Sequence, residues 1–332
     1  MKENSSRFII YGAGAIGSVF GGMLARAGHQ VILVGRGPHM AAVREKGLVM
    51  DGLLGNYLVK DIETYTDLSG ITGTLPVEAV FISVKSNGTA DAIRDLCQSG
   101  LVGDDTLVVS LQNGLGNLEQ IRDAFGPDRS LGGRVIFGAE VVEPGHVHVS
   151  VWADKVLIGG PDVGHHPREA LPKGVTASRS LAQTLTMSGI ETEFDPNIEA
   201  ALWGKVLYNI GLNPLSALLE VPYGELGIEE SARALLVELM KEAFSVASRE
   251  VTLPWKSADE YLDLFFTRLL PSTESHHSSM LQDLERGRET EIEGITGQVI
   301  KRADTLGIPV PVNRVVYGLV KAKVAMAKMS RD

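Results

Sequence analysis

Cysteine, positive charge and uninterrupted apolar segments are all scarce in this chain, and each scarcity excludes a class of protein. Cys97 is the single cysteine among 332 residues, so an intrachain disulfide framework and a zinc site built from cysteines are excluded. The 31 basic residues are outnumbered by 41 acidic ones, and the net charge of −10 disfavours nucleic acid as a partner, because a polyanion would be repelled on average. The near absence of cysteine also fits a reducing cytoplasm, where we expect this protein.

Residues 8–25 form a long segment without a charged residue, which at first suggests a membrane span. Five glycines interrupt it and it begins as a short strand, so we exclude both a membrane span and a signal peptide. Metal binding is also disfavoured, because the eight histidines form no helical His-x-x-x-His pair and no mixed cluster with cysteine. We therefore expect no membrane partner and no metal.

The first half of the chain alternates short apolar runs with amphipathic stretches. This alternation predicts an α/β fold with a parallel, doubly wound sheet of the Rossmann type. Residues 132–160 are rich in β-forming residues, and we expect them to extend this sheet with antiparallel strands. Strands are predicted at 7–11, 30–34, 79–84, 106–110 and 190–194.

The second half of the chain carries helical patterns alone. We place the boundary near Phe194, which gives a Rossmann-type, NADP-binding domain over residues 1–194 and an all-helical substrate and catalytic domain over residues 195–332. The predicted helices of this second domain cover 197–212, 229–249, 257–269, 280–307 and 311–328.

A glycine-rich turn follows the first predicted strand and opens the first helix. In a dinucleotide-binding turn the first glycine permits the sharp bend, the second lets the backbone approach the pyrophosphate, and the third lets helix and strand pack closely. The strand–turn–helix context makes a turn without a ligand the weaker interpretation, so we predict that the whole turn binds the cofactor at the helix N-terminus. Its residues are Gly12, Ala13, Gly14, Ala15, Ile16 and Gly17.

The end of the second strand distinguishes NADP from NAD. A carboxylate at this position would accept hydrogen bonds from the ribose hydroxyls of NAD, but residues 33–37 include no acid. Arg36 stands there instead, and a guanidinium can bind a 2′-phosphate through two parallel hydrogen bonds. Elsewhere such an arginine would be interpreted as a solvated surface residue. At this position it favours NADPH as the cofactor.

Lys85 and Asn113 each follow an apolar run, at the predicted carboxyl ends of two strands. Ligands of doubly wound sheets bind outside these ends. Either residue alone would be interpreted as a surface lysine or a turn asparagine. Their shared placement makes both of them candidate neighbours of the cofactor.

Three polar side chains interrupt a strongly apolar helical stretch in the second half. Lys205, Asn209 and Asn213 are four residues apart, so they share one helix face. A polar stripe is usually a solvated face, but the surrounding residues are apolar and include glycines, which favours a buried helix. A lysine and two amides on such a face are typical of a binding site for a polar anion.

These motifs and two further segments resemble the ketopantoate reductase family over nearly the whole chain. The resemblance implies an NADP-dependent oxidoreductase that reduces 2-dehydropantoate (ketopantoate) to pantoate in pantothenate and CoA biosynthesis. Residues 202–214 and 278–283 carry the most specific matches. In chain order the matching segments are the glycine turn, Arg36, 83–85, 112–114, 202–214, 278–283 and 289–292.

The resemblance also implies a role for each matching residue. Lys205 would donate the proton and polarise the ketone, and Glu291 would contact the nicotinamide side and help to orient Lys205. Asn113 would lie between cofactor and substrate. A positioned ammonium suits this chemistry, because reduction of a ketone develops negative charge on oxygen. The other implied substrate ligands are Asn209, Asn213 and Ser279, and the other implied cofactor ligands are Lys85 and Ala139.

Two positions depart from the family pattern. His276 and Tyr223 stand where asparagines are often found, near the expected substrate site. The reduction chemistry is left intact, but a reductase of another branched 2-oxo acid is an open alternative. A second alternative is another two-domain hydroxyacid dehydrogenase. A third alternative is an NADP-sensing protein without catalysis, but the presence of Lys205, Ser279 and Glu291 argues against it. The long helical domain also leaves a homodimer open.

Overall fold

The computed structural model describes residues 5–72, 76–160 and 173–329, and in these ranges the chain forms twelve strands and twelve α-helices. The strands are β1 (Arg7–Tyr11), β2 (Gln30–Val34), β3 (Leu48–Gly52), β4 (Tyr57–Val59), β5 (Glu63–Tyr65), β6 (Val77–Ile82), β7 (Leu107–Ser110), β8 (Ser130–Arg134), β9 (Phe137–Glu143), β10 (His146–Trp152), β11 (Val156–Gly159) and β12 (Thr192–Phe194). The helices are α1 (Ala15–Arg26), α2 (Gly37–Lys46), α3 (Thr89–Ser99), α4 (Asn117–Phe125), α5 (Lys173–Met187), α6 (Ile198–Leu219), α7 (Tyr223–Ile228), α8 (Glu230–Glu250), α9 (Ala258–Leu264), α10 (Ser279–Glu285), α11 (Gln298–Leu306) and α12 (Pro311–Met329).

The chain is divided between two compact units. The first consists of Met1–Gln112 and Asn117–Ile198, and it contains all the described strands. The second consists of Asn113–Gly116 and Glu199–Asp332, and its described elements are helical. The four residues from Asn113 therefore belong to the helical unit, although the chain on either side of them belongs to the first. No local sequence pattern predicts this excursion.

The larger sheet has eight strands in the order β12-β11-β8-β7-β6-β1-β2-β5. From β5 to β8 all neighbouring strands are parallel, and the chain builds outward from β1 in one direction and then in the other. This is the strand order of a Rossmann domain, and it reverses between β1 and β6. Tyr11, which ends β1, lies opposite Val34 of β2 and Ile82 of β6. The predicted doubly wound sheet is confirmed.

A second sheet of four strands, in the order β4-β3-β10-β9, packs on α1. Helix α1 also packs on β1 and β2 of the larger sheet, and every residue from Gly17 to Ala25 is buried. A Cβ on Gly21 would lie 2.4 Å from Leu33 of β2, and one on Gly22 would lie 2.4 Å from Met50 of β3. Because α1 is covered on both sides, it carries no charge until Arg26, which explains the long uncharged segment at 8–25.

The second sheet corrects part of the sequence interpretation. The expectation that residues 132–160 would extend the larger sheet with antiparallel strands was right only for β11, which pairs antiparallel with β8. Strands β9 and β10 pair with each other instead, and β10 runs parallel to β3. Strands β3, β4 and β5 were not predicted at all. Alternation of apolar residues identifies a strand but not its partner, and β10 pairs with a strand far earlier in the chain.

His39 connects α1 and α2 to the turn between β9 and β10. Its Nδ1 accepts a hydrogen bond from the Gly145 N–H at 2.9 Å, so the ring proton resides on Nε2, which lies 3.0 Å from Ser18 Oγ. Burial lowers the pKa of His39, which keeps the ring neutral. This histidine therefore has a structural role in holding the second sheet on α1.

The helical unit is confirmed as all-helical within the described residues, but one predicted helix was wrong. Residues 280–307 form two separate helices, α10 and α11, with a π-helical turn at Glu293–Gly297 leading into α11. Helix α10 ends at Glu285, and Gly287 has a φ of +64°. A glycine in this left-handed region ends a helix readily.

No helix in the described part of the chain combines the length and the apolar character needed to cross a bilayer. His165 and His166 lie outside the described residues. Within 5–72, 76–160 and 173–329, no three histidine, cysteine or carboxylate side chains group as metal ligands.

A single carboxylate joins two strands of the second sheet. Asp51 of β3 bonds through one oxygen to His146 Nε2 at 2.8 Å and through the other to His148 Nδ1 at 2.6 Å. Both histidines lie on β10, the parallel neighbour of β3. The hydrogen bonds from His148 and His146 hold the pKa of Asp51 below its usual range.

We expect Asp51→Asn to lower the Tm at neutral pH, because an amide oxygen can replace only one of the two carboxylate bonds. A depressed pKa means that the stabilisation is present above the unfolded-state pKa and is lost as the pH falls through the folded-state pKa. The Tm difference from the parent should therefore be full at about pH 6 and shrink below about pH 4. Calorimetry across this range measures it, with the exposed Asp61→Asn as the control. A difference that stays constant down to about pH 3 would contradict the assignment.

Candidate functional site

The glycine turn of the first unit is held tightly by the loops around it. Gly12 has a φ of +103°, and a Cβ there would lie 2.5 Å from the Val84 nitrogen, so no other residue fits. The N–H groups of Gly12 and Ala13 both donate to the Val34 carbonyl. Ser83 Oγ donates to the Gly12 carbonyl at 2.8 Å. The sequence placed Ser83 in a motif but assigned it no role; here it fixes the turn.

The other two glycines of the turn differ in what surrounds them. A Cβ on Gly17 would lie 2.5 Å from Ser83 Oγ and 2.7 Å from the Gly12 carbonyl, so this glycine is required by packing. A Cβ on Gly14 would meet only the Gly12 carbonyl, at 3.9 Å. The packing of the chain itself therefore gives no reason for a glycine at position 14. A ligand that approaches this backbone closely would give one.

The start of α1 is suited to a phosphate. Its first turn contains no acidic residue, and no side chain caps its N-terminus. Helix N-termini present N–H groups and a partial positive charge, which together attract anions. This N-terminus and the open backbone at Gly14 fit the pyrophosphate of a dinucleotide. Such a cofactor would supply the hydride when bound.

The remaining predicted cofactor residues lie at separate places in the same unit. Arg36 is exposed just after β2, and a Cβ on its neighbour Gly35 would lie 3.2 Å from the Ala13 side chain. Lys85 is partly buried and precedes a short turn after β6. Ala139 is partly buried in β9, the strand that packs on α1.

Gln112 fixes the ends of β6 and β7 to each other. It is buried, and its Nε2 donates to the Val84 carbonyl at 3.0 Å and to Thr89 Oγ1 at 2.7 Å. Its Oε1 accepts from Ser110 Oγ at 3.1 Å. Sequence reasoning assigned this glutamine no role. The signal available was a long polar side chain at the end of an apolar run.

In the helical unit, Asn113 bridges the two residues predicted to be catalytic. Lys205 Nζ donates to Asn113 Oδ1 at 2.5 Å, and Asn113 Nδ2 donates to Glu291 Oε2 at 2.8 Å. The structure therefore brings these three predicted residues together in one hydrogen-bonded chain. The carboxylate acts on the ammonium through the amide, which uses its acceptor toward the lysine and a donor toward the glutamate.

Asn113 is held by a strap, the four residues Asn113–Gly116, which packs on the π-helical turn before α11. The Leu115 N–H donates to the Gly294 carbonyl at 2.9 Å. Gly114 has a φ of +83°, and a Cβ there would lie 2.1 Å from the same carbonyl. Backbone therefore contacts backbone, with no room for a side chain. A π-turn often marks a functional site, and this one supplies the surface that locates Asn113.

The two asparagines of the polar stripe on α6 are buried, as predicted, and Lys205 is partly buried. Asn213 is 4% exposed, and its Oδ1 accepts from the Tyr223 hydroxyl at 2.8 Å. Asn209 is 9% exposed, and its side chain makes no hydrogen bond to another described residue. Its amide groups are therefore available to a ligand or to water. The stripe thus has the character of a binding surface.

The paired serines differ in environment. Ser278 is buried, caps α10 by accepting from the Leu281 N–H at 3.0 Å, and lies 3.4 Å from the Asn213 carbonyl. Ser279, the predicted substrate ligand, is exposed as the first residue of α10. No direct bond joins it to the Lys205–Asn113–Glu291 chain.

The sheet order and the glycine turn place this chain among the dinucleotide-binding oxidoreductases, and comparison with known proteins narrows the class. A sequence profile described as ketopantoate reductase PanE/ApbA matches residues 8–161, and its C-terminal counterpart matches residues 197–324. The chain is 36% identical to the 2-dehydropantoate 2-reductase of Aquifex aeolicus over 96% of both chains. It is 34% identical to that of Pyrococcus horikoshii, over 98% of this chain and 100% of the relative. The chain belongs to the ketopantoate reductase family.

Solved structures agree with this assignment. The ketopantoate reductase from Ralstonia eutropha is 32% identical, with a TM-score of 0.81, over 97% of this chain and 99% of that one. The 2-dehydropantoate 2-reductase from Geobacter metallireducens is 27% identical, with a TM-score of 0.83, over 95% and 99%. A D-mandelate dehydrogenase solved with NADH and anilino(oxo)acetate is 25% identical, with a TM-score of 0.82, over 97% and 99%. Family membership and this neighbour's complex with NADH both support a nicotinamide cofactor for this chain.

Gly114→Ala is expected to impair catalysis more than an alanine at another positive-φ glycine would, because it also displaces Asn113. Its φ of +83° and the 2.1 Å approach to Gly294 force the strap to move, and Asn113 moves with it. Gly126→Ala is a matched control, because Gly126 has a φ of +84° and a Cβ added there would meet nothing within 4 Å. Both variants should lose about 1 kcal/mol of stability or slightly more from positive φ.

The measurements are thermal unfolding and steady-state turnover of both variants. We expect only Gly114→Ala to lower kcat, by roughly tenfold or more, because a misplacement of about 1 Å is costly in catalysis. Equal kcat values for the two variants would show that the strap does not position Asn113 for turnover.

Proposed function

We propose that this chain reduces 2-dehydropantoate to pantoate with NADPH, in the cytoplasm, as a step of pantothenate and CoA biosynthesis. The observation that supports this most directly is the chain of hydrogen bonds from Lys205 through Asn113 to Glu291. Membership of the ketopantoate reductase family supplies the reaction that such a site would serve.

In the proposed reaction, Lys205, Asn113 and Glu291 each have a distinct role. A bound nicotinamide cofactor would supply the hydride that C2 of the 2-oxo acid receives, and the carbonyl oxygen would then need a proton. Lys205 Nζ donates that proton and stabilises the negative charge developing on the oxygen. Asn113 holds the ammonium in place through its Oδ1. Glu291 fixes the orientation of the Asn113 amide by accepting from its Nδ2. Solvent restores the proton to Lys205 after product leaves.

The preference for NADPH over NADH rests on Arg36. This residue follows β2, where no carboxylate is present to bind ribose hydroxyls, and its side chain is exposed. A planar guanidinium can form two parallel bonds to a 2′-phosphate and can stack on adenine. The substrate stripe formed by Lys205, Asn209 and Asn213 would hold the 2-oxo acid.

A second candidate substrate is another branched 2-oxo acid. Tyr223 and His276 stand in place of family asparagines, and their rings contact each other with centroids 5.5 Å apart. Two aromatic rings alter the shape and polarity of the surface next to Asn213. A homodimer, which the long helical domain leaves open, is untested.

Lys205→Ala should abolish most turnover while leaving NADPH binding unchanged. Loss of a general acid typically lowers kcat by roughly 10²–10⁴-fold. The assay is NADPH oxidation with ketopantoate and, in parallel, with several other branched 2-oxo acids. Lys241→Ala, an exposed lysine paired with Asp259, is the control and should match the parent.

Two results would count against the proposal. Parental turnover by Lys205→Ala would show that this lysine is not the proton donor. Failure of the parent protein to reduce ketopantoate, together with rapid reduction of another 2-oxo acid, would assign that acid as the substrate instead.

Arg36→Ala should raise the KM for NADPH by about tenfold to a hundredfold, because the variant loses charged hydrogen bonds to the 2′-phosphate. The KM for NADH should stay nearly unchanged, because NADH has no 2′-phosphate. The exposed Lys46→Ala, at the end of the helix α2 that Arg36 precedes, is the control. Equal effects on the two cofactors would remove Arg36 from the 2′-phosphate site.

A further inference from the structure

Tyr223, the first residue of α7, is held on several sides. Its side chain is 4% exposed, and its ring meets those of Tyr208 and His276 edge to face, with centroids 6.2 and 5.5 Å apart. Its N–H donates to the His276 carbonyl at 3.0 Å. Its hydroxyl therefore has a fixed position, and there it donates to Asn213 Oδ1 at 2.8 Å.

This hydrogen bond decides what Asn213 can offer to a ligand. A side-chain amide has one oxygen with two lone pairs and two N–H donors, and the Tyr223 hydroxyl uses one lone pair and holds the oxygen toward its own ring. Burial raises the pKa of Tyr223 far above neutrality, so the phenol keeps its proton and continues to donate. The Nδ2 group of Asn213 makes no hydrogen bond to another described residue, so its N–H donors are the part of this amide left for a ligand.

The rest of the stripe points to the same ligand chemistry. The Lys205 ammonium has donors and no acceptor. Asn209 lies between it and Asn213, one helical turn from each, and is nine-tenths buried with no side-chain hydrogen bond to another described residue. A face rich in donors matches a ligand with only acceptors, which describes a 2-oxo carboxylate. A primary 2-oxo amide would bring N–H groups that find no acceptor at Asn213.

We propose that Tyr223 is a positioning residue that commits Asn213 to donating, and that it thereby selects the carboxylate of a 2-oxo acid against the corresponding neutral amide. The inference rests on the proposed function, since it concerns the substrate of the same site. It goes beyond that function by assigning substrate selectivity to Tyr223, which occupies a position where the family often has asparagine.

The test compares Tyr223→Phe with the parent on a 2-oxo acid and on its primary 2-oxo amide. The variant removes one hydroxyl and frees Asn213 to rotate its oxygen toward a ligand. We expect the KM for the acid to rise by about three- to tenfold, the value of one neutral hydrogen bond, with kcat within about twofold. The ratio of kcat/KM for acid over amide should fall by at least the same factor.

Tyr261→Phe is the matched control. Tyr261 is equally buried and also donates into α6, but to the Gly204 carbonyl, at 3.3 Å. It should leave the KM and the acid-to-amide ratio as in the parent. If Tyr223→Phe leaves both quantities unchanged while its Tm matches that of Tyr261→Phe, the proposal is overturned.

A second variant, Asn213→Asp, tests the same idea without altering the tyrosine. Its carboxylate could still accept from Tyr223 but would offer no donor, so the KM for the acid should rise by about tenfold or more, and that for the amide by less. Equal effects on the two ligands would overturn the proposal. Both variants are assayed with whichever 2-oxo acid the parent reduces best, so a failure of ketopantoate as substrate and a failure of Tyr223 to select carboxylates give different results.

Discussion

The proposed chemistry of the helical unit depends on the contacts of one asparagine side chain. Asn113 lies between an ammonium and a carboxylate and bonds to each, so the two charges are joined through a neutral amide. A direct ion pair would hold Lys205 against Glu291 and direct its protons at a carboxylate. The amide instead holds the ammonium through a single neutral acceptor. In the proposed reaction, this acceptor would compete less strongly than a carboxylate with the substrate oxygen for the protons of Lys205.

The location of Asn113 explains several other features. Its strap follows β7 by two residues, and Gln112 immediately before it is tied to the loop after β6. The strap contacts the π-helical turn backbone to backbone at Gly114 and Gly294. A regular helix at residues 293–297 would present its carbonyls along its own axis. In the π-helical turn, the Gly294 carbonyl accepts a hydrogen bond from the Leu115 N–H. The irregular turn and the glycine at position 114 together position the side-chain amide of Asn113.

Sequence reasoning succeeded where the signal is local. The strands β1 and β2 and the glycine turn were predicted residue by residue, because the strand, turn and helix preferences agree with one another there. The spacing of Lys205, Asn209 and Asn213 correctly placed them on one face of α6, where both asparagines are buried and Lys205 is partly buried. The second sheet was missed because the pairing of β10 with β3 depends on contacts between distant segments. The hydrogen bond from Tyr223 to Asn213 was not predicted either, because neither residue type indicates from sequence which residue it will contact.

The excursion of Asn113–Gly116 has a consequence for how such chains could arise by recombination. Because the helical unit borrows four residues from the middle of the first unit, no single cut in the chain separates the two complete units. A fragment beginning at Glu199 would contain Lys205 and Glu291 but not the amide that links them. Grafting such a helical module onto a foreign dinucleotide-binding domain would reproduce the link only if the host happened to carry an equivalent asparagine loop, so the two parts are constrained to evolve as one gene.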